Sequence, residues 1–218
     1  LQNEFNLYAV DATSGAAQNI YHETDEKYLE INDELYFLED GSFVLLSDRD
    51  GWNHLYHVAP NGKIKRQITK GEYNVTRLYG MDDRNRLYYQ SSERSAIERN
   101  IYSIKINGSG KVNLAQEEGT HNATFTPDFK HFINTYSAEG IPTRVTLRES
   151  AKGKTLRTIK TNERAEKALE TYTYSPKEFF ALNTPTGGEL NAWMIKPVDF
   201  DENKTYPLFI FVYGGPGN

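Results

Sequence analysis

Asn6-Leu-Tyr-Ala-Val10, His54-Leu-Tyr-His-Val58 and Asn100-Ile-Tyr-Ser-Ile104 are three renderings of one strand, and Arg144-Val-Thr-Leu147 repeats it more loosely. Leu7, Leu55, Ile101 and Val145 mark a common phase, at steps of 48, 46 and 44 residues. A second element precedes each of the last three in the same register: residues 38–46, 81–89 and 125–133. In each, a polar turn leads into an apolar or aromatic strand. Ser-rich loops follow at 47–51, 91–94 and 137–140. A period in the mid-forties with several short strands per unit is the mark of a β-propeller blade. A single blade cannot bury both faces of its sheet, so neighbours must stack on it. The expected fold is therefore mainly β: a partial propeller of about three to four blades, each a four-stranded antiparallel sheet. The alternative is a non-propeller β array or sandwich whose spacing coincides. A propeller typically needs more blades than these, so further blades are expected before Leu1.

Composition agrees with β structure. The 218 residues include 15 Tyr and 11 Phe, and Gly, Asn and Asp recur where turns are needed. Helix formers cluster only at Asn162–Thr171, which reads as a short surface helix with Asn162 as a candidate cap. Asn107-Gly108, between Ile104/Ile106 and Val112/Leu114, signals a hairpin. Residues 184–190 signal another, joining Glu178–Asn183 to Asn191–Lys196. The net charge of −5, with no long basic cluster, argues against nucleic acid as a partner. No apolar run is long enough for a transmembrane helix, and no signal peptide appears in these residues. With no cysteine, neither disulfide nor thiolate chemistry is available, which fits a bacterial or cytosolic protein better than a secreted vertebrate ectodomain.

The most telling stretch lies at the end: Tyr206-Pro-Leu-Phe-Ile-Phe-Val-Tyr213-Gly214-Gly215-Pro216-Gly217-Asn218. It reads as a buried apolar strand running into a sharp glycine turn. A terminal strand without a partner would expose backbone and apolar side chains, so a longer protein is expected. Glycine-rich loops after an early strand supply oxyanion-hole donors in α/β-hydrolases, and a tyrosine O–H is such a donor. Together with Glu178–Asn183 and Leu190–Pro197, this string resembles the junction between propeller and hydrolase domains in the prolyl oligopeptidase family of serine peptidases. Its dipeptidyl peptidase IV branch is the most similar. Asn100-Ile-Tyr102 and residues 68–75 extend the resemblance, more diffusely, through the last propeller blades.

The resemblance implies propeller blades at 1–160, a linker with a short helix at 161–177 and the first strands of the α/β-hydrolase domain at 178–218. It puts an oxyanion-binding role on Tyr213. It implies a serine exopeptidase that releases N-terminal X-Pro or X-Ala dipeptides through an acyl-enzyme, acting on peptides with a free N-terminus. No Gly-x-Ser-x-Gly occurs in these residues, so the Ser, Asp and His of the triad are expected downstream and this stretch alone should be inactive. The carboxylate pair that holds the substrate amine in this family is expected upstream. No cofactor or metal is implied. Family members are often dimers, and bacterial ones are often periplasmic, with the cytoplasm as the alternative compartment. An oligopeptidase or acylaminoacyl peptidase of the same family is the nearest rival. A propeller interaction module with a vestigial hydrolase is the rival from another class.

Other residues read as structural. His22, His54, His57, His121 and His131 fall in propeller strands or loops, and His54 and His57 point to opposite faces of one strand. Asp48-Arg-Asp50-Gly51 has the start of a calcium loop without its downstream glutamate, so it reads as a β-turn. Asn74, Asn107, Asn122 and Asn203 stand in glycosylation-type triplets but equally suit turns.

Overall fold

A computed structural model describes residues 2–212. Strands β1 (Glu4–Val10) and β2 (Ala17–Thr24) form a two-stranded sheet. Three four-stranded antiparallel meanders follow. The first is β3 (Leu35–Phe37), β4 (Phe43–Ser47), β5 (His54–Val58) and β6 (Ile64–Gln67). The second is β7 (Val75–Met81), β8 (Arg86–Ser91), β9 (Asn100–Lys105) and β10 (Val112–Asn113). The third is β11 (Thr120–Phe125), β12 (His131–Ala138), β13 (Ile141–Glu149) and β14 (Thr155–Lys160). The repeat found in the sequence is the third strand of each meander: Leu55, Ile101 and Val145 lie on β5, β9 and β13. By the same phase, β1 and β2 are the third and fourth strands of a blade.

Side-chain alternation explains why these sheets stack instead of pairing into a two-layer sandwich. Phe43 and Leu45 face a core shared with Tyr21 of the first sheet. Their neighbours Val44 and Leu46 face a second core with Val75, Leu87 and Tyr89. On β8 the alternation repeats, for Tyr88 turns away from Leu87 and Tyr89 into a third core with Ile101, Leu114, Ala123 and Phe132. Successive residues point to opposite faces of a strand, so β4 and β8 feed a core on each side and read as unbroken apolar runs. Four sheets with a core between each neighbouring pair are propeller blades, which removes the sandwich alternative. Each large apolar side chain so buried contributes about 1.5–3 kcal/mol.

Tight connections seat one blade on the next. Gly153, in the β13–β14 turn, has φ +75° and lies against the Leu114 backbone, where a Cβ would collide. Gly140 has a similar φ of +69° but faces open space. Gly140→Ala should therefore show only the left-handed backbone cost of about 1–2 kcal/mol. Gly153→Ala should lose measurably more in a thermal melt, and equal losses would mean that the contact with Leu114 relaxes freely.

The connection 114–119 is also tied to β13 by charge. Arg148, with its side chain 6% exposed, grips Glu117 with both guanidinium ends, Nη1 at 3.1 Å from Oε2. Burial pushes the Glu117 carboxyl up, but the Arg148 hydrogen bonds and charge outweigh this and hold it below the usual range for a glutamate. A depressed carboxylate stabilises the fold above its unfolded pKa and loses that contribution as pH falls through the folded value. Glu117→Gln should therefore cost about 1 kcal/mol at pH 7, since the carboxylate is half exposed. Urea midpoints of the two proteins should converge as the pH falls through the lowered Glu117 value, and a constant gap down to full protonation would contradict the account.

Three expectations need correction. The helix is shorter than read, α1 (Glu163–Leu169), and the Asn162 side chain does not cap it. Asn162 takes a left-handed φ of 61°, which turns its amide away from the helix to donate to the Thr143 carbonyl. The second hairpin forms as β15 (Glu178–Asn183) and β16 (Glu189–Met194), with β16 starting and ending two residues before the range read from the sequence. The expected buried strand after Tyr206 is neither a strand nor buried, for Leu208–Val212 are 73–88% exposed. No sheet neighbour pairs with it among the described residues. The Asn107-Gly108 hairpin forms as read, with Gly108 at φ +81°.

Candidate functional site

In each meander, strand 2 turns into strand 3 at the same end where strand 4 leaves for the next blade. That end carries the loops 25–34, 48–53, 68–74, 92–99 and 114–119, and from it β14 runs on into α1 and the β15–β16 hairpin. Lys177 joins the two parts. Its backbone N–H donates to Glu139 Oε1 at 3.1 Å in the β12–β13 turn, and its ammonium lies 3.8 Å from Glu139 Oε2. The same ammonium sits 5.1 Å over the Trp193 ring on β16. Beyond β16, Lys196 binds Glu178 at 2.7 Å and lies over Phe200, which stacks on Tyr206. Tyr206 Oη accepts from the Asp201 backbone N–H at 2.9 Å. These contacts fix the loop from which residues 207–212 lead toward Tyr213. Tyr213 itself, the sequence-based oxyanion candidate, lies outside the described residues.

The loop end is strongly acidic where blades one and two meet. Asp48 follows β4, with Glu23 at the end of β2 and Asp25 and Glu30 in the next connection. Burial lifts the Asp48 carboxyl, and the negative charges of Glu23, Asp25 and Glu30 push it the same way. Glu23 is held in place by Tyr21 Oη, which donates at 2.6 Å, and by Arg49 Nη2 at 3.1 Å. Arg49 lies between the Tyr21 and Tyr56 rings, 5.7 and 5.3 Å from their centroids. Sequence reading missed this convergence, because Glu23 and Asp48 are brought together only by neighbouring strand ends. The segment 48–51 is the β-turn that was read, closed by Gly51 N–H donating to the Asp48 carbonyl at 2.8 Å.

The histidines are placed as structural groups. His54 is buried, with Nδ1 3.0 Å from Thr69 Oγ1 and Nε2 2.9 Å from the Gly71 carbonyl. His57 faces the other way, Nε2 2.9 Å from Ser42 Oγ. His121 is buried against the Glu117 carbonyl and Asn134, and His22 meets Glu4 on the surface. Of the triplet asparagines, Asn74 accepts from Asn53 N–H, Asn107 from Ser109 N–H and Asn122 from Gln90. Asn203 closes an Asx turn on Asp201.

Comparison with known proteins now bears on the whole. Residues 1–143 match the family model for the dipeptidyl peptidase IV (DPP IV) N-terminal region. The chain belongs to this family. The crystal structure of Porphyromonas gingivalis dipeptidyl peptidase 4 superposes with a TM-score of 0.86 at 37% identity, over 94% of this chain and 29% of that one. An Emericella nidulans protein described as a probable dipeptidyl peptidase 4 is 32% identical over 180 residues, covering 80% of this chain and 23% of its own. Arthroderma otae dipeptidyl peptidase 4 is 29% identical over 178 residues, with the same shares covered. The chain thus spans about a quarter of the length of these curated relatives. The DPP IV family match lies on the blades, the part whose sequence motifs were most diffuse. No helix among the described residues is long and apolar enough to cross a membrane.

Proposed function

We propose that the chain is part of a serine dipeptidyl peptidase, with blades at 1–160, a linker at 161–177 and the start of an α/β-hydrolase domain at 178–218. The observation that carries this reading is the family match over the blades, joined to an acidic loop end on the side where the chain departs. Tyr213 donates its phenol O–H to the oxyanion as the scissile carbonyl becomes tetrahedral. A downstream serine attacks, a histidine takes its proton and an aspartate orients the ring. The substrate is a peptide with a free N-terminus, whose ammonium is favoured by the negative potential of the loop end. The lack of cysteine in these residues favours a bacterial protein, placed in the periplasm or cell envelope with the cytoplasm as the alternative, and the family resemblance favours a homodimer. A fluorophosphonate probe should label the complete protein at one serine and abolish its peptidase activity. Absence of labelling would instead favour a propeller interaction module with an inactive hydrolase.

A further inference from the structure

Beside helix α1, on the face that the fourth sheet turns toward the third, is a polar cleft of about 480 Å³. The inner half of this face is apolar, for Ala123 and Phe132 fill the core with Tyr88 and Ile101. The outer half is not. Asn134, Thr146 and Thr158 stand opposite one another across β12, β13 and β14, and Tyr136 and Arg144 form the next rung. Register puts these side chains on one face.

Two observations point to a ligand for the cleft. Asn134 is wholly buried and lines the cleft, yet its amide makes a single contact, at 3.2 Å, with His121 Nδ1. Among the described residues its other amide atom has no partner, and neither has Arg144 Nε, also buried. Buried polar groups left unpaired are destabilising, so they mark positions meant to be filled. The His121 ring donates from Nε2 to the Glu117 carbonyl at 3.0 Å. A neutral ring then offers only a lone pair at Nδ1, which calls for the Asn134 N–H₂ and leaves its carbonyl facing the cleft. A doubly protonated ring would leave the N–H₂ instead. A hydroxyl group, both donor and acceptor, satisfies either orientation.

Charge narrows the ligand further. Arg144 is neutralised by Glu166 of α1 at 2.8 Å and Arg148 by Glu117, while Glu163 adds one more carboxylate. An anion would meet no free positive charge among the described residues that line the cleft. We propose that this cleft binds a neutral, hydroxyl-rich ligand of the saccharide or polyol class, held by Asn134, Arg144 Nε and the Thr155 and Thr158 hydroxyls. Tyr136, stacked on His121 at 4.6 Å, provides an aromatic wall.

The test is saturation-transfer NMR on the complete protein, with trehalose and cellobiose as probes and sulfate as competitor. At least one sugar should bind saturably and resist displacement by sulfate. Arg144→Lys keeps a cation beside Glu166 but removes the Nε donor, and Thr158→Val removes an exposed hydroxyl without changing shape. Each should weaken sugar binding about 10-fold, the equivalent of one hydrogen bond, and leave dipeptide release unchanged. Absence of saturable binding by both sugars, equal binding in both variants, or displacement by sulfate would overturn the proposal.

Discussion

Tyr213→Phe in the complete protein is expected to lower kcat for dipeptide release by about 10²-fold or more, as for the loss of one oxyanion donor. The fold should be unaffected, because the change removes one oxygen from a side chain and keeps the ring. The expectation rests on where charge develops. A ground-state carbonyl needs little from a phenol O–H, whereas the tetrahedral oxyanion gains most from a donor already aimed at it. KM should therefore change little while kcat falls, and single-turnover kinetics on a chromogenic dipeptide amide would separate the two. Turnover within about threefold of wild type, well short of that 10²-fold loss, would remove Tyr213 from the mechanism. The contacts of Tyr206, Phe200 and Lys196 hold the loop that precedes residue 207.

Phe132→Ala is expected to cost about 3–5 kcal/mol of stability, the range for truncating a fully buried aromatic side chain. Phe132 is 1% exposed, and its ring centroid lies 5.0 Å from that of Phe125. It fills the core between the third and fourth sheets, where Ile101 and Leu114 come from one blade and Ala123 from the other. Backbone hydrogen bonds do not run continuously from sheet to sheet, so side-chain packing carries most of the blade-to-blade cohesion. Leu156→Ala, on exposed β14, is the control and should stay within about 0.5 kcal/mol. Urea unfolding of the complete protein would report both. A small effect at Phe132 would mean that the blades are held together chiefly by connections such as Arg148–Glu117 and the Gly153 turn.

The blades were legible because propeller packing leaves two independent marks in the sequence. One is the period, carried by Leu55, Ile101 and Val145 on the third strands. The other is the unbroken apolar run of a strand buried on both faces, as in Phe43–Leu46. Asn107-Gly108 was legible because a two-residue turn has its own chemistry. The cap at Asn162 was misread because the nearby Thr143 carbonyl captured its amide, a tertiary contact that no local pattern reveals. The acidic loop end and the Asn134 cleft were invisible for a related reason. Both are made by residues that only strand register or neighbouring strand ends bring together: Glu23 with Asp48, and Asn134 with Thr146 and Thr158. The string around Tyr213 was read from its chemistry and its resemblance, and it lies outside the described residues.

The reaction proposed for the complete protein is the removal of dipeptides from free peptide N-termini. Its most direct test is cleavage of a Gly-Pro chromogenic amide by the complete protein, beside the same substrate with its amino group blocked. The account predicts turnover of the free form and none of the blocked form. Cleavage of the blocked form at a similar rate would contradict it and point to an oligopeptidase or acylaminoacyl peptidase, and cleavage of neither would point to a binding module.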